Sequence, residues 1–321
     1  MKRFDVVTVG GATEDIFFTV DDYVMIDNAK DPLRQKLVGF EYGSKIGVSE
    51  TQSAFGGGAA NTAVCFSRLG KKTAAIIALG RDERGLRMIE NFKKHKIDCQ
   101  CLEKTDKPSG VSFVLKTLDG EHVLFTHRGA NDRLLINKTA RKALAKAKRI
   151  FMTSLTGNWK TIAAQVFDSG RPIAWNPGRA QLASGFKSLK PFLEKTDILI
   201  LNKDEAIELL LSHPKENGDN EASSYLLKKI HSFGPRLVVI TEGARGACAY
   251  DGKKIYKQGI VKVKVVDTTG VGDAFGSTLV AALDSGLTIT QALRAGMKNT
   301  ASVLTKPGAQ NGLLGARQLG L

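Results

Sequence analysis

The chain has 321 residues, 42% hydrophobic and 25% charged, which is enough for one large packed unit or two smaller ones and excludes an intrinsically disordered chain. Its net charge of +15 at pH 7 will attract polyanions, but the cations are dispersed (Lys138, Arg141, Lys142, Lys146 and Lys148 along one expected helix) and no nucleic-acid-binding signature accompanies them, so a nucleic-acid partner is not expected. Cys65, Cys99, Cys101 and Cys248 form no C-x-x-C pair and read as free thiols; no stretch of about 18 apolar residues and no leader peptide occurs, so the expected location is the cytoplasm, with no membrane contact.

Phe4-Asp5-Val6-Val7-Thr8-Val9-Gly10-Gly11 has the continuous apolar character of a buried parallel strand, and ligands bind at the carboxyl ends of such strands. Asp15 follows, placed either to cap a turn or to hold a ligand. Residues 16–54 hold Phe17, Phe18, Val20, Val38, Phe40, Tyr42, Ile46 and Val48 in short alternating pieces, broken at Asp21-Asp22, Asp31-Pro32 and Gly43, which predicts antiparallel strands. Residues 97–128 repeat that character, with strands at 111–115 and 122–125 around a turn at Leu118-Asp119-Gly120-Glu121. The two segments are expected to form a small antiparallel lid over one α/β domain spanning 1–321.

Between them, Phe55-Gly56-Gly57-Gly58-Ala59-Ala60-Asn61-Thr62-Ala63 opens an amphipathic helix ending near Gly70, with Cys65 on its core face. Ile76-Ile77-Ala78-Leu79-Gly80 reads as a strand leading into Arg81-Asp82-Glu83-Arg84-Gly85. From residue 130 the patterns alternate: helix 138–148, strand 149–153, helix 159–168, strand 173–176 and strand 197–201, the mark of βαβ units and a mostly parallel, doubly wound sheet flanked by helices. Asn202-Lys203-Asp204-Glu205 follows directly, with Asn202 and Glu205 spaced as a capping box. A surface loop is expected at 213–220, then a buried strand 237–241 with a glycine-rich exit at Thr241-Glu242-Gly243-Ala244-Arg245-Gly246.

Val261, Val263 and Val265 alternate with Lys262 and Lys264, which predicts a strand into Asp267, and from Asp273 the apolar residues take helical spacing until Gly286. Gly270-Val271-Gly272-Asp273 joins the two. Its glycines bare backbone amides at a helix N-terminus, where an anion is favoured, and a carboxylate there can take a proton while the amides neutralise a migrating phosphoryl group. Capping and the helix dipole also favour an Asp in a first turn without any catalysis, and the dipole is expected to lower its pKa. No Gly-Lys-Ser or Gly-Lys-Thr phosphate loop is present.

Asp267-Thr268-Thr269-Gly270-Val271-Gly272-Asp273 resembles the C-terminal signature of the ribokinase (PfkB-type) carbohydrate kinases, usually Asp-Thr-x-Gly-Ala/Cys-Gly-Asp, with Val271 a mild departure. Gly56, Gly57, Asn61 and Ala63 fall in register with that family's Gly-Gly-x-x-x-Asn-x-Ala. The segment at 80–85 is similar to its Gly-x-Asp-x-x-Gly, which is expected to support the sugar site. The resemblance implies a ribokinase-like fold, with Asp273 as catalytic base and Gly270, Val271 and Gly272 as its anion hole. It further implies Asp15, Gly56, Gly57 and Asn61 at the acceptor, and Thr241, Gly243, Gly246 and Asn299 at the nucleotide. Asn202 joins the nucleotide set, because the stretch resembles the family's Asn-x-x-Glu. Glu205 would then organise Mg2+ through water, and Asp267 and Thr269, with backbone near Gly308-Ala309, would hold a monovalent cation such as K+.

The expected activity is transfer of the γ-phosphoryl group of ATP to a hydroxyl, most often CH2OH, of a sugar. A nucleoside kinase on the same fold is the alternative, with Phe17, Phe40 and Tyr42 available to pack a base. A non-catalytic sugar- or nucleic-acid-binding protein is the other class, against which the intact Asp273 and anion-hole glycines argue. A homodimer through the exposed lid sheet is expected.

Overall fold

A computed structural model of the chain describes residues 3–28, 36–117, 122–214 and 222–321. The turn expected at 118–121, the break at Asp31-Pro32 and most of the loop expected at 213–220 lie outside the described residues.

The first strand, Phe4–Val9, shows why the chain folds in layers. Val6 and Val7 point to opposite faces of the strand, and both are buried. Val7 and Val9 pack with Ala140, Leu144 and Ile162 on one side, while Val6 packs with Ala63, Phe275 and Leu293 on the other. Apolar residues on both faces therefore demand helices on both faces. The main sheet has eight strands in the order Ile255–Gln258, Ala247–Tyr250, Leu237–Thr241, Ile198–Asn202, Ile173–Trp175, Ala147–Met152, Phe4–Val9 and Thr73–Ile76. The six from Leu237–Thr241 to Thr73–Ile76 are parallel; the two at the other edge pair antiparallel. Strand order reverses at Phe4–Val9, so the connections diverge there and open a crevice at the carboxyl ends.

A second sheet runs His122–His127, Gly110–Lys116, Thr13–Thr19, Glu50–Gly56. It draws two strands from each of the two expected segments, but it is not purely antiparallel. Its central pair, Thr13–Thr19 with Gly110–Lys116, is parallel, and only the outer pairs are antiparallel. A parallel pair needs a long crossover, and the intervening chain with helices Gly58–Arg68 and Glu83–Lys94 supplies it. Strands Val24–Asp27 and Lys36–Gly39 form a separate ribbon. Residues 40–48, expected to continue the strands, have none, and Phe40, Tyr42 and Val48 are exposed.

The strand expected at 261–267 is also absent. The edge strand ends at Gln258, and residues 259–268 form no strand; the amides of Val266 and Asp267 meet the carbonyl of Leu304. The Val/Lys alternation marks a segment with one apolar side, not one with a neighbour to pair with. Helix Val271–Asp284 then descends into the core, anchored by Phe275, Leu279 and Val280, all buried. Burying each such side chain is worth roughly 1.5–3 kcal/mol, so the start of this helix is a rigid platform. None of the described helices is long and apolar enough to cross a membrane.

Candidate active site

Gly270 precedes helix Val271–Asp284 with φ 73°, a left-handed conformation that glycine adopts without strain. A Cβ there would stand 2.3 Å from the Cβ of Ala309, so the turn also presses too closely on the 306–311 loop for any side chain. The first helical hydrogen bond runs from Ala274 N to Gly270 O at 2.9 Å, which leaves the amides of Val271, Gly272 and Asp273 ahead of the ladder. Around Gly272, the space where a Cβ would sit is open. Three amides and the positive end of a 14-residue helix thus face the crevice, an arrangement that stabilises a phosphoryl group.

Asp273 stands in the first turn of this helix. Asn61 Nδ2 donates to its Oδ2 at 2.8 Å, and Gln310 Nε2 donates to Asn61 Oδ1 at 3.0 Å. Asn91 Nδ2 in turn donates to Gln310 Oε1 at 3.0 Å. The carboxylate is therefore aimed by a chain of amides reaching from helix Glu83–Lys94 through helix Gly58–Arg68. Asn61 was expected to contact the acceptor; the structure joins it to the Asp273 carboxylate. Burial raises the Asp273 pKa to about 6, the Asn61 hydrogen bond lowering it and the charge of Asp15 raising it further. This corrects the expectation of a lowered pKa, because desolvation at the crevice floor outweighs the helix dipole.

Asp15 lies across the crevice on strand Thr13–Thr19, 6% exposed, accepting from Thr13 Oγ1 at 3.0 Å. Burial pushes its pKa up, against hydrogen bonds from Ser112 and Thr13, with the charges of Asp267 and Glu14 adding to the rise. A Cβ on Gly56 would fall 1.9 Å from Asp15 Oδ2, which explains the first glycine of the pair: only a bare backbone lets the carboxylate point inward. Glu14, on the opposite face of the strand, is held by Arg84 at 2.8 Å and Arg87 at 2.8 Å and fastens the small sheet to helix Glu83–Lys94. Asp82 accepts from Gly85 N, Ser109 N and Ser109 Oγ at 2.7–2.8 Å, so the 80–85 segment braces the same sheet.

A cleft of about 520 Å3 adjoins the anion hole. Thr241, Gly243 and Gly246 line one end, and Val271 and Gly272 connect it to the amides. Ile260, Val261, Val263 and Val265, with Lys262 among them, form one wall, so the valines of the alternation that mimicked a strand face a cleft. Met297, Thr300, Ala301 and Leu304 form the other. Asn299 is not among them. It sits on the far side of helix Ile289–Leu304, fully buried, bonded to Thr278 Oγ1 at 2.7 Å and accepting from Leu314 N at 2.9 Å. Helical spacing places 297, 300, 301 and 304 on one stripe and turns 299 away, so its expected place beside a base is corrected.

Asn202 and Glu205 form a reciprocal cap: Glu205 N donates to Asn202 Oδ1 and Asn202 N to Glu205 Oε2, both at 2.8 Å. Asn202 is in register with Thr241 on the adjacent strand, which puts the pair at the same sheet end as the cleft. Burial pushes the Glu205 pKa up, against the hydrogen bond from Asn202, while Glu208 and Asp204 raise it. Asp267 Oδ1 accepts from Thr269 N at 2.9 Å and Thr269 Oγ1 at 2.8 Å, and its Oδ2 accepts from Gly308 N at 2.8 Å. Cys65 is buried against Thr278 and Asn299 with its thiol pKa pushed up by burial, an inert core residue, and all four cysteines are free. Among the described residues no group of three or more His, Cys, Asp or Glu is placed to hold a metal unaided.

Two residues of this site escaped the sequence analysis. Gln310 lies just past the Lys306-Pro307-Gly308-Ala309 stretch in a segment without periodicity, and only its burial against Asn61 marks it. Lys116 ends a strand of the small sheet as one of 47 basic residues, with nothing local to distinguish it.

Comparison with known proteins places the chain in a family. The profile of the pfkB family carbohydrate kinases matches residues 21–315. A ribokinase of Haemophilus influenzae is 30% identical over 270 residues, covering 82% of this chain and 85% of the relative. Among solved structures, Arabidopsis thaliana ribokinase complexed with ribose and ATP superposes with TM-score 0.80 at 22% identity over 99% of this chain and 98% of that one. A Burkholderia thailandensis nucleoside kinase in complex with inosine gives 0.79 at 17% identity over 98% and 96%. These two likenesses establish the ribokinase-like fold, and the profile, which spans nearly the whole chain, establishes the lineage: the chain belongs to the pfkB family of carbohydrate kinases, phosphotransferases that act on an alcohol group.

Proposed function

We propose that this enzyme transfers the γ-phosphoryl group of ATP to a CH2OH group of a sugar. The observation that carries the reading is the Asp273 carboxylate, aimed by Asn61 at 2.8 Å and set beside three amides at a helix N-terminus, with Asp15 facing it. Asp15 orients the acceptor through its hydroxyls, with the Gly56-Gly57 backbone as the floor. Asp273 takes the proton of the attacking hydroxyl late in an in-line transfer, while the amides at 271–273 offset charge on the equatorial oxygens. The cleft lined by Thr241, Gly243, Gly246 and Ala301 takes the nucleotide, and its apolar walls suit a base.

Magnesium would arrive with the nucleotide, because the described residues offer no cluster of ligands of their own; its phosphates would supply most of the ligands, with Glu205 reached through water. Bound there, it neutralises phosphate charge.

The small sheet acts as a lid over the acceptor. Phe17 is on the same face of its strand as Asp15 but its ring lies under the Lys116 ammonium, 4.8 Å from the centroid, and Phe40 and Tyr42 are exposed. That favours a sugar over a nucleoside, since among the described residues the aromatic ring on the Asp15 face of that strand is already covered by the Lys116 ammonium. The test is ADP release from ATP and Mg2+ with ribose, fructose, tagatose, sugar monophosphates, adenosine and inosine. Turnover confined to sugars supports the reading. Turnover confined to nucleosides moves the assignment to the nucleoside branch, and absence of turnover across a broad panel, with ATP bound, removes the catalytic reading.

A further inference from the structure

The turn that presents the anion hole begins at Asp267, a buried carboxylate whose charge stands next to the place where phosphoryl charge must be accommodated. The family resemblance implied a free monovalent cation at this carboxylate, together with Thr269 and the backbone near Gly308. The residues present do not fit one. A carboxylate offers about four acceptor directions. Here Thr269 N, Thr269 Oγ1 and Gly308 N take three, and Lys116 Nζ already forms an ion pair with Oδ2 at 3.8 Å.

Lys116 is not a stray surface cation. It closes strand Gly110–Lys116, and the alternation Ser112, Val114, Lys116 together with the register Ser112 to Asp15 and Val114 to Phe17 puts its side chain on the crevice face of the small sheet. Its ammonium is held between the Asp267 carboxylate and the ring of Phe17, 4.8 Å from the centroid, and its side chain is 28% exposed. Asp15 adds a second negative charge felt at Asp267, so the position is electrostatically prepared for a cation. Burial would raise the Asp267 pKa, but hydrogen bonds from Gly308 and Thr269 and the Lys116 charge outweigh it and keep the group ionised.

We propose that the Lys116 ammonium takes the place of the free monovalent cation on Asp267, delivered by the small sheet, so that phosphoryl transfer by this enzyme does not require potassium. This rests on the kinase reading above. A lysine ammonium is a compact point charge and can neutralise Asp267 as an alkali ion would. Being covalently attached, it couples that neutralisation to closure of the small sheet over the crevice. A potassium ion entering beside Asp267 would meet the ammonium at close range and be repelled.

The experiment compares turnover in potassium chloride with turnover in N-methylglucamine chloride at equal ionic strength of about 0.1 M, for the natural protein, Lys116→Met and Lys116→Arg. The natural protein and Lys116→Arg should differ less than about twofold between the salts. Lys116→Met should lose at least about tenfold without potassium and regain most of it with potassium, as expected when the Asp267 charge loses the cation 3.8 Å from its Oδ2. Thermal unfolding in the two salts reads the same site without turnover: potassium should raise the midpoint of Lys116→Met and leave the natural protein unchanged. Activation of the natural protein by potassium of about tenfold or more overturns the proposal, as does a fully active Lys116→Met indifferent to both salts. If no form turns over any acceptor, the kinase reading fails and the unfolding midpoints still decide whether Lys116 excludes the ion.

Discussion

Asp273→Asn separates the cost of holding a base from its use. In the fold the Asp273 pKa stands at about 6 against an ordinary 3.8. About two pH units correspond to at most about 3 kcal/mol of disfavour for the ionised form, and the residual solvent contact of this residue reduces that to about 1–2 kcal/mol. The folded chain holds this proton more tightly than the unfolded chain. The natural protein therefore loses stability, relative to a variant that does not titrate, as pH rises from about 4 to about 6, and no more above that. The amide introduced by Asp273→Asn keeps a carbonyl oxygen for the Asn61 hydrogen bond. Urea unfolding of the two proteins should give nearly equal stability at low pH and an advantage of about 1–2 kcal/mol for Asp273→Asn at pH 7.5. In the same preparations kcat should fall by at least about 10²-fold with ATP binding nearly intact, and kcat/KM of the natural enzyme should rise with pH around an apparent value near 6. Near-normal turnover of the variant would refute the role of Asp273 as base. A stability difference independent of pH would refute the burial argument.

Gly270→Ala should lower both stability and activity, because its Cβ meets Ala309 at 2.3 Å in a left-handed backbone; Gly272→Ala, which meets nothing, should fold normally and yet raise KM for ATP by crowding the anion hole, as steady-state kinetics and melting curves will show. Gln310→Leu leaves the Asn61 carbonyl without its donor, at a cost of about 1–3 kcal/mol, and should lower kcat about tenfold with KM for ATP unchanged. Arg149 is 13% exposed and bridges Asp197 and Asp284, tying strand Ala147–Met152 to the far end of the active-site helix, so Arg149→Ala should cost about 3 kcal/mol in a urea melt while a shift under about 0.5 kcal/mol would show the bridge to be idle. Phe113, Val123 and Phe125 are exposed on one face of the small sheet, which supports the expected homodimer; a monomer mass by light scattering at micromolar concentration would reject it.

Much of the site was legible because its demands are local. A turn that bares amides needs glycines at 270 and 272, a carboxylate in the first helical turn needs only Asp273, and a strand buried on both faces needs the run from Phe4 to Val9. The strand at 261–267 was misread for an equally local reason: alternating Val and Lys describe a chain with one apolar side, whether that side meets a sheet or a cleft. Asn299 failed on helical phase, where a one-residue error from Thr300 moves a side chain from the cleft to the core.

By itself the sequence determined the layered α/β class, the succession of βαβ units and a glycine turn with bared amides and a carboxylate at Asp273, because each follows from residues adjacent in the chain; the acceptor role proposed for Gly56 and Gly57 came only through the family resemblance. Tertiary structure alone decided the parallel pairing at the centre of the small sheet and the amide chain from Asn91 through Gln310 and Asn61 to Asp273. It also decided the raised pKa of that base and the placing of Lys116 on Asp267. These join residues as far as 249 positions apart. Spacing along a chain carries no information about which distant side chains share one desolvated crevice, and desolvation sets the energies of the charges there.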